Sequence, residues 1–239
     1  MFKLPHSINR SIGKAMHAYD MIADGDRIMI GVSGGVDSLV LCWILHNWRR
    51  KAPISYEIRA VHLDMGFENT GEFKAVQKEL DKIGLPLYTE QTNFGAESYK
   101  KNPNNACFQC ARRRRNRLFS LASEQGCRTL AFGHHKDDII ETLFINMLYG
   151  GNISTMRPKQ DLFNGRLSLI RPMSNLTKSQ IIELADLAGI TPVKNPCPMA
   201  GHCKRDEVRT ILDSLYSQNP RFRNNIFAAL GNVRSDYLL

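Results

Sequence analysis

Hydrophobic and polar positions follow two alternating patterns along most of the chain. Short apolar runs typical of strands occur at residues 27–32, 58–63, 85–90, 129–133 and 167–170. Longer amphipathic segments typical of helices lie at residues 37–50, 72–83, 137–149 and 177–188. This alternation predicts an α/β fold, in which a doubly wound parallel sheet carries helices on both faces.

Residues that favour helix ends support these boundaries. Gly84 and Gly189 follow two of the predicted helices, at positions where glycine commonly ends a helix. Thr177 and Gln180 have the spacing of a capping box, which favours a helix start there. In sheets of this type ligands bind beyond the carboxyl ends of the strands, so we expect the functional residues at those ends.

The chain shows no internal repeat and no clear linker, so we expect a single domain over residues 1–239. Within it, residues 1–26 are interpreted as an N-terminal helical segment and residues 190–239 as a C-terminal segment with cysteines and helices. Residues 92–117 combine a polar insertion with a stretch rich in cysteine and arginine. The polar part, residues 92–106, is rich in Asn, Lys and Gly, which favours a mobile insertion.

Composition places the chain among ordinary globular proteins. Of its 239 residues 43% are hydrophobic and 23% charged, which excludes collagen-like, coiled-coil and disordered classes. The longest apolar run, residues 39–45, is far shorter than the roughly 20 residues that span a bilayer. The N-terminus lacks the apolar stretch of a secretory signal. We therefore expect a cytoplasmic protein with no membrane partner.

Net charge and cysteine spacing narrow the function. Lys and Arg total 32 against 23 Asp and Glu, a formal charge of +9, which favours a polyanionic partner such as nucleic acid over a merely basic enzyme. Six cysteines are too few for a disulfide scaffold. Cys42 and Cys127 are solitary and are interpreted as core residues. The short-spaced pairs are more typical of metal or redox sites, and they are Cys107 with Cys110 and Cys197 with Cys203.

A turn of small residues joins the first predicted strand to the first predicted helix. Its sequence is Ser33-Gly34-Gly35-Val36-Asp37-Ser38. Two glycines allow a ligand to approach the backbone, and the helix N-terminus presents free N–H groups to an anion. No Walker A sequence occurs in the chain, and a plain structural turn is the alternative. The context after an apolar strand favours nucleotide binding.

The first cysteine pair precedes a strongly basic stretch. Cys107-Phe108-Gln109-Cys110 can hold a metal centre, and the neighbouring positive charge favours the thiolate form. Zinc, a redox disulfide and an iron–sulfur cluster all remain open for such a pair. A further ligand has to come from Cys197, which proline flanks on both sides, or from Cys203. The basic stretch favours RNA phosphate contact over a solvated helix, through Arg112, Arg113, Arg114, Arg115 and Arg117.

Two further strand ends carry candidate residues. His62 and Asp64 end the second predicted strand, where His62 is a candidate nucleotide-binding residue and Asp64 a candidate catalytic one. Gly133 ends the fourth strand, and Asp137 and Asp138 follow as candidate catalytic residues that hold magnesium or act on the substrate. The alternatives are a turn-capping role for Asp64 and a helix-capping role for the aspartate pair.

The turn at residues 33–38 resembles the PP-loop of the N-type ATP pyrophosphatases, whose fold is that of the adenine nucleotide α-hydrolases. These enzymes transfer AMP to an oxygen of their substrate and release pyrophosphate. The resemblance implies that residues 33–38 hold the pyrophosphate of ATP and that Asp37 organises the loop or a magnesium ion. Val36 departs from the lysine common at this position in the most similar subfamily, which leaves one phosphate-facing cation fewer.

The whole chain resembles the tRNA 2-thiocytidine synthetase family. The motifs that carry this resemblance follow the family's order, and they are the cysteine pair with its basic stretch, residues 133–138, 141–144, 146–151, 170–172 and a late Pro-Cys. The resemblance implies ATP, magnesium and a [4Fe-4S] cluster on Cys107, Cys110 and a third cysteine. The late segment reads differently from the family's usual one, so Cys203 stays a rival to Cys197, which its proline neighbours favour.

The function implied is ATP-dependent tRNA thiolation. Adenylation of a pyrimidine C2 oxygen would make it a good leaving group, and sulfur would then replace it, most simply giving 2-thiocytidine in the anticodon loop. The resemblance implies tRNA and a sulfur donor as partners, the donor being a cysteine desulfurase or sulfide, and a homodimer is one option. The alternatives are a PP-loop enzyme that thiolates a uridine or acts on another substrate, and a zinc-stabilised RNA-binding module.

Overall fold

The computed structural model describes residues 4–67, 71–201 and 204–237. These residues form a six-stranded sheet with helices around it. The strands are β1 (Asp26–Val32), β2 (Tyr56–Asp64), β3 (Leu87–Gln91), β4 (Thr129–Ala131), β5 (Lys159–Leu162) and β6 (Leu167–Ile170). The helices are α1 (His6–Ala18), α2 (Val36–Arg49), α3 (Glu72–Ile83), α4 (Phe94–Lys101), α5 (Ala106–Glu124), α6 (Lys136–Gly150), α7 (Lys178–Ala188), α8 (Lys204–Gln218) and α9 (Arg221–Ala229).

The strand order β3-β2-β1-β4-β6-β5 creates a switch point between β1 and β4. The neighbouring strands from β3 to β6 all pair in parallel, and β5 pairs with β6 antiparallel. The chain leaves β1 toward one side of the sheet and β4 toward the other, so a crevice opens beyond their carboxyl ends. Such a crevice is the usual ligand site in open α/β sheets.

Both faces of the sheet are covered. Ile28 and Ile30 of β1 pack on one face with apolar residues of α1, α2 and α7. Met29 points to the opposite face, where it packs with Leu118 and Leu121 of α5. A third apolar cluster joins α6 to α8 and α9 through residues such as Ile140. The predicted fold class, a doubly wound α/β fold, is confirmed.

Several predicted boundaries match the structure. Strand β6 spans residues 167–170 and helix α3 spans residues 72–83, as predicted. Gly84 and Gly189 have positive φ angles of 81° and 64° at their helix ends. Thr177 and Gln180 form both hydrogen bonds of the capping box that starts α7. No helix in the described part of the chain is long and apolar enough to cross a membrane.

Two expectations need correction. Residues 92–106 are not a loop, because α4 and a short 3₁₀ helix (Pro103–Asn105) occupy most of the segment, while their interpretation as a mobile insertion stays a prediction. The amides of Gly95 and Ala96 both donate to the Met65 carbonyl, and Gly95 lies directly against Phe67, so local packing overrides the polar composition. Strand β5 was not predicted, because its sequence Lys-Gln-Asp-Leu lacks an apolar pattern and pairs only at the sheet edge.

Candidate nucleotide and cysteine site

The turn at residues 33–38, named here the nucleotide loop, lies at the switch point of the sheet. The Ser33 and Ser38 hydroxyl oxygens lie 3.2 Å apart, and the Ser33 amide donates to Ser38 Oγ at 3.1 Å. The Gly35 amide donates to Ser33 Oγ at 3.3 Å. Among the described residues no side chain caps the start of α2, which leaves N–H groups of its first turn available to an anion.

Two glycines hold the nucleotide loop against its neighbours. Gly34 has a φ of +81°, and a Cβ atom there would lie 2.9 Å from Val76 Cγ2. Gly133, which follows β4, packs so closely on the start of α2 that a Cβ atom would lie 2.8 Å from the Asp37 carbonyl carbon. The structure thus brings Gly133 beside the nucleotide loop, and nucleotide binding by Gly133 stays a prediction.

Asp37 has two partners from other parts of the chain. Its Oδ1 atom lies 2.6 Å from Lys178 Nζ, at the first residue of α7, and 3.6 Å from His135 Nε2. Val36 carries no charge, whereas the Lys178 ammonium group lies beside the next residue of the loop, Asp37. Sequence reasoning missed Lys178, because its nearest motif is the helix cap at Thr177 and nothing there signals an anion site.

His135 lies buried among three carboxylates. Its ring nitrogens lie 3.6 Å from Asp37, 3.6 Å from Asp137 and 3.4 Å from Asp138. Burial opposes a charge on this ring, but Asp137, Asp138 and Asp37 outweigh it and raise the pKa of His135. Burial likewise favours the neutral form of Asp137, yet His135, the Lys178 amide and Arg223 lower its pKa. The carboxylates therefore favour the protonated form of His135, and His135 in turn favours the ionised form of Asp137.

The aspartate pair at the start of α6 serves the fold as well as the site. Asp138 Oδ2 accepts from the His135 amide at 3.0 Å, which is the helix-capping role considered as an alternative. Asp137 Oδ2 accepts from the Lys178 amide at 2.8 Å and so ties α6 to α7. A catalytic role for this pair stays a prediction.

The C-terminal helices supply arginines that the sequence did not reveal. Arg205 Nη1 of α8 lies 3.3 Å from Asp138, and Arg223 Nε of α9 lies 2.9 Å from Asp137. Arg209 donates to both oxygens of Glu141, which is only 3% exposed. No sequence motif marks these arginines, because they reach the site only through the packing of α8 and α9 on α6.

His62 and Asp64 lie beyond β1 on the neighbouring strand. His62 Nδ1 lies 2.9 Å from the Val32 carbonyl oxygen, and its buried Nε2 has no partner among the described residues. Burial lowers the pKa of His62. Asp64 Oδ1 accepts from the Gly66 amide at 2.8 Å, the turn-capping role considered as its alternative. A catalytic contact by Asp64 stays a prediction.

The candidate ligand cysteines lie at the start of α5 and in the segment that precedes α8. Cys107 and Cys110 lie on successive turns of α5, with Cys107 exposed and Cys110 half-buried. Burial raises the pKa of Cys110, Arg114 lowers it, and Cys197 raises it, which places Cys197 within electrostatic range. The described residues contain no group of three ligands around a single metal-ion position. Cys203 lies outside the described residues.

The segment at residues 190–197 connects the cysteines to the nucleotide loop. The Val193 amide donates to the Gly34 carbonyl oxygen at 2.9 Å, and the Thr191 amide donates to the buried Glu79 at 3.1 Å. Cys197 follows Val193 by four residues, which span at most about 14 Å when extended. The nucleotide loop and the cysteines therefore belong to one region of the molecule.

The basic stretch divides into two sets. Arg113 pairs with Glu97 at 2.7 Å and lies over the Phe94 ring. Arg117 forms a bidentate pair with Glu90, at 2.6 and 2.7 Å, and also contacts Glu124. The others have no carboxylate within 4 Å in the described part of the chain, and they are Arg112, Arg114 and Arg115. RNA contact by the five arginines stays a prediction, strongest for this second set.

Comparison with known proteins gives a consistent result. The PP-loop domain family matches residues 4–215. A tRNA-cytidine(32) 2-sulfurtransferase of Citrifermentans bemidjiense is 34% identical over 97% of this chain and 92% of its own length. One of Syntrophotalea carbinolica is 36% identical over 99% of this chain and 93% of its own length. A solved U34-tRNA thiolase of Methanococcus maripaludis, with its [4Fe-4S] cluster, has a TM-score of 0.75 and 22% identity, covering 97% of this chain and 83% of that one.

A nucleotide loop at the switch point of a doubly wound sheet, together with the family match, defines the class as PP-loop ATP-binding proteins. The structural neighbour supports the same fold. The chain belongs to the PP-loop family and, within it, to the family of the tRNA-cytidine(32) 2-sulfurtransferases. The membership predicted from the motifs is confirmed.

Proposed function

We propose that this chain is an ATP-dependent sulfurtransferase that replaces the C2 oxygen of a tRNA cytidine with sulfur, giving 2-thiocytidine in the anticodon loop. The relatives at 34–36% identity are named for this reaction at cytidine 32. The observation that carries the proposal is the hydrogen bond between Val193 and Gly34, because it fixes the cysteine-bearing segment to the nucleotide loop. A nucleotide site and a sulfur site need this proximity to act on one base.

The residues present fit ATP. The nucleotide loop offers backbone amides and two hydroxyls to the β- and γ-phosphates, and Lys178 adds a cation beside Asp37. The unpartnered Nε2 of His62, on the adjacent strand, is a further polar group available to the nucleotide. Asp37, with Asp137 or Asp138, would hold magnesium, which would neutralise charge on the departing pyrophosphate.

The first chemical step is adenylation of the base. The C2 oxygen of cytidine attacks the α-phosphorus of ATP, so an O–P bond forms, the bond between the α-phosphorus and the bridging oxygen breaks, and pyrophosphate leaves. Donors preorganised in the nucleotide loop stabilise the negative charge that develops on the leaving group. The positive end of α2 adds to this stabilisation.

The second step replaces oxygen by sulfur. A sulfur nucleophile at the oxidation level of hydrosulfide attacks C2, the C–S bond forms, the C–O bond breaks and AMP leaves with the former carbonyl oxygen. The S–H proton is released. Arg114, which acts electrostatically on Cys110, keeps positive charge on this side of the site and favours an anionic nucleophile.

The cysteines present would supply the thiolates of a [4Fe-4S] cluster. Cys197 acts electrostatically on Cys110, which follows Cys107 by three residues on α5, and no three ligands surround a single-ion position in the described ranges. A cluster accepts each thiolate on a different iron, so its ligands lie further apart than those of one ion. Bound through Cys107, Cys110 and Cys197, a cluster would leave one iron open for sulfur.

The remaining partners follow from the substrate. Arg112, Arg114 and Arg115 have no carboxylate partner in the described part of the chain, so we assign them first to the tRNA backbone. We propose inorganic sulfide or a cysteine desulfurase as the sulfur donor. We further propose a single-domain enzyme of the cytoplasm, where tRNA and reduced thiols are found.

The test is product analysis with purified full-length protein, ATP, sulfide and unmodified tRNA under anaerobic conditions. Mass spectrometry of the digested nucleosides is expected to show 2-thiocytidine, with AMP and pyrophosphate formed in equal amounts. Asp37→Ala should abolish the formation of all three products. Formation of 2-thiouridine would instead assign the enzyme to uridine, and the absence of tRNA-dependent pyrophosphate release would contradict the proposal.

A further inference from the structure

Arg171 is a buried cation that no carboxylate neutralises directly. It follows β6 and is 5% exposed. Its Nε donates to His134 Nδ1 at 3.3 Å, and its Nη1 donates to the backbone carbonyl of Arg157. Within the described ranges no Asp or Glu lies within 4 Å of it, and Asp138, which acts on it from further away, already pairs with Arg205. A buried charge in this state is costly unless a ligand pairs with it.

The surroundings add positive charge instead of removing it. Burial and the nearby Arg115 lower the pKa of Arg171 to about 10. Burial, Arg171, Arg205 and Arg114 together hold the pKa of His134 well below its usual value. Three arginines thus act on one imidazole ring, and a fourth, Arg115, acts on Arg171. Such a concentration of like charge is stabilised by an anion.

The His134 tautomer provides a second donor. Because Nδ1 accepts a hydrogen bond from Arg171, the proton of the neutral ring lies on Nε2. The two hydrogen bonds that Arg171 makes use two of its five N–H donors. The pair therefore offers a planar guanidinium fork and an imidazole N–H, a set of donors that suits phosphate oxygens.

The position of this pair connects the two halves of the site. His134 precedes His135, which lies 3.6 Å from Asp37 of the nucleotide loop. Arg114 acts electrostatically on both His134 and Cys110. The pair therefore belongs to the same region of the molecule as the nucleotide loop and the cysteines.

We infer that Arg171 and His134 form a binding site for a phosphate group of the bound substrates. The inference rests on the proposed function, which brings two such groups here, the α-phosphate of the nucleotide and the phosphodiester beside the target cytidine. Either would take the place of the missing counter-charge. The competing account is structural, in which Arg171 serves to tie the Arg157 carbonyl to β6.

The test uses full-length Arg171→Met, with Arg128→Gln as the control. Arg128 is an exposed arginine directly before β4, at the opposite end of the sheet. The dissociation constant of ATP is measured without tRNA, and that of an unmodified tRNA transcript without ATP. We expect Arg171→Met to weaken one of them at least about tenfold, as loss of charge-assisted hydrogen bonds does. Weaker ATP binding assigns the α-phosphate, and weaker tRNA binding assigns the phosphodiester.

Thermal melting separates this role from the structural one. In the unbound protein the positive charges around Arg171 repel one another. Removing one of them should therefore cost no stability, and the melting temperature of Arg171→Met should stay level or rise. A lowered melting temperature with both dissociation constants within twofold of wild type would overturn the inference. Unchanged constants in a protein of wild-type stability would overturn it too.

A second variant covers the case in which Arg171→Met does not fold. His134→Phe removes the Nε2–H donor and keeps an aromatic ring against Phe132, whose centroid lies 5.6 Å away. It should weaken the same one of the two ligands several-fold, and no effect on either would contradict the inference. These binding constants do not depend on turnover, so a failure of the proposed function, read in the product analysis, is seen separately.

Discussion

Lys178 places its ammonium nitrogen 2.6 Å from the Asp37 carboxylate, across 141 positions of sequence. Asp37 belongs to the nucleotide loop, so the first residue of α7 reaches the proposed phosphate site. The loop itself carries the uncharged Val36 beside Asp37. Lys178 therefore supplies from another helix the positive charge that the loop lacks.

Replacing this cation should weaken nucleotide binding. We expect Lys178→Met to raise the dissociation constant of ATP about tenfold, because one charge-assisted contact to the phosphates is lost. Lys178→Arg should keep most of the affinity. The measurement is equilibrium dialysis with labelled ATP, with Lys74→Met, an exposed lysine of α3, as the control. Equal affinity in Lys178→Met and Lys74→Met would show that Lys178 serves Asp37 alone.

A methyl group at Gly34 should disturb the nucleotide loop in two ways. Alanine would have to adopt a φ of +81°, at a cost of about 1–2 kcal/mol, and its Cβ would lie 2.9 Å from the buried Val76. We expect Gly34→Ala to lower the free energy of unfolding and to abolish tRNA-dependent pyrophosphate release. Chemical denaturation and a pyrophosphate assay measure the two effects.

Gly165→Ala is the matched control for this change. Gly165 has a φ of +80° in the turn between β5 and β6, and a Cβ atom there would meet nothing within 4 Å. It should lose similar backbone stability and retain full activity. Full activity in Gly34→Ala would contradict the role assigned to the loop.

The burial of Glu141 predicts how the free energy of unfolding depends on pH. Burial raises its pKa above 4.5, although Arg209 opposes the shift. Because the folded state then holds a proton that the unfolded state releases, this group's stabilisation is present below about pH 4.5 and is lost as pH rises. In Arg209→Met the positive charge that favours ionised Glu141 is absent, so the stability lost as pH rises becomes larger. At pH 7 we expect a decrease of about 2 kcal/mol, since Arg205 remains 3.6 Å away.

The check is urea denaturation of wild type and variant from pH 4.5 to pH 8. The difference between the two should grow with pH, and a neutral side chain in Arg209→Met/Glu141→Gln should remove most of it. A difference that is constant with pH would mean that Arg209 stabilises α8 by packing and not through Glu141.

The sequence contained most of the fold because the fold depends on local signals. Apolar strands, glycine at helix ends and the Thr177 cap each act over a few residues, and the structure confirms them. Strand β5 escaped prediction because an edge strand needs only one neighbour and carries no apolar face. Helix α4 escaped because its packing on Met65 and Phe67 is a tertiary effect.

The residues of the candidate site also differ in whether local sequence could reveal them. The nucleotide loop and the cysteine pair are contiguous motifs, and both could be recognised directly. Lys178, Arg205 and Arg223 reach the site from helices remote in sequence, and their neighbours in the chain give no sign of it. The ion pairs of Arg113 and Arg117 were equally hidden, since their partners Glu97 and Glu90 lie on other elements.

The most direct test of the account is the metal content of single cysteine variants after anaerobic reconstitution. Wild type, Cys42→Ala, Cys127→Ala and Cys203→Ala should each hold about four iron atoms and as many sulfides per chain, with broad absorbance at the violet edge. Cys107→Ala, Cys110→Ala and Cys197→Ala should lose the cluster and the thiolated product together. Stoichiometric zinc in the wild-type protein, or loss of the cluster in Cys203→Ala but not in Cys197→Ala, would contradict the account.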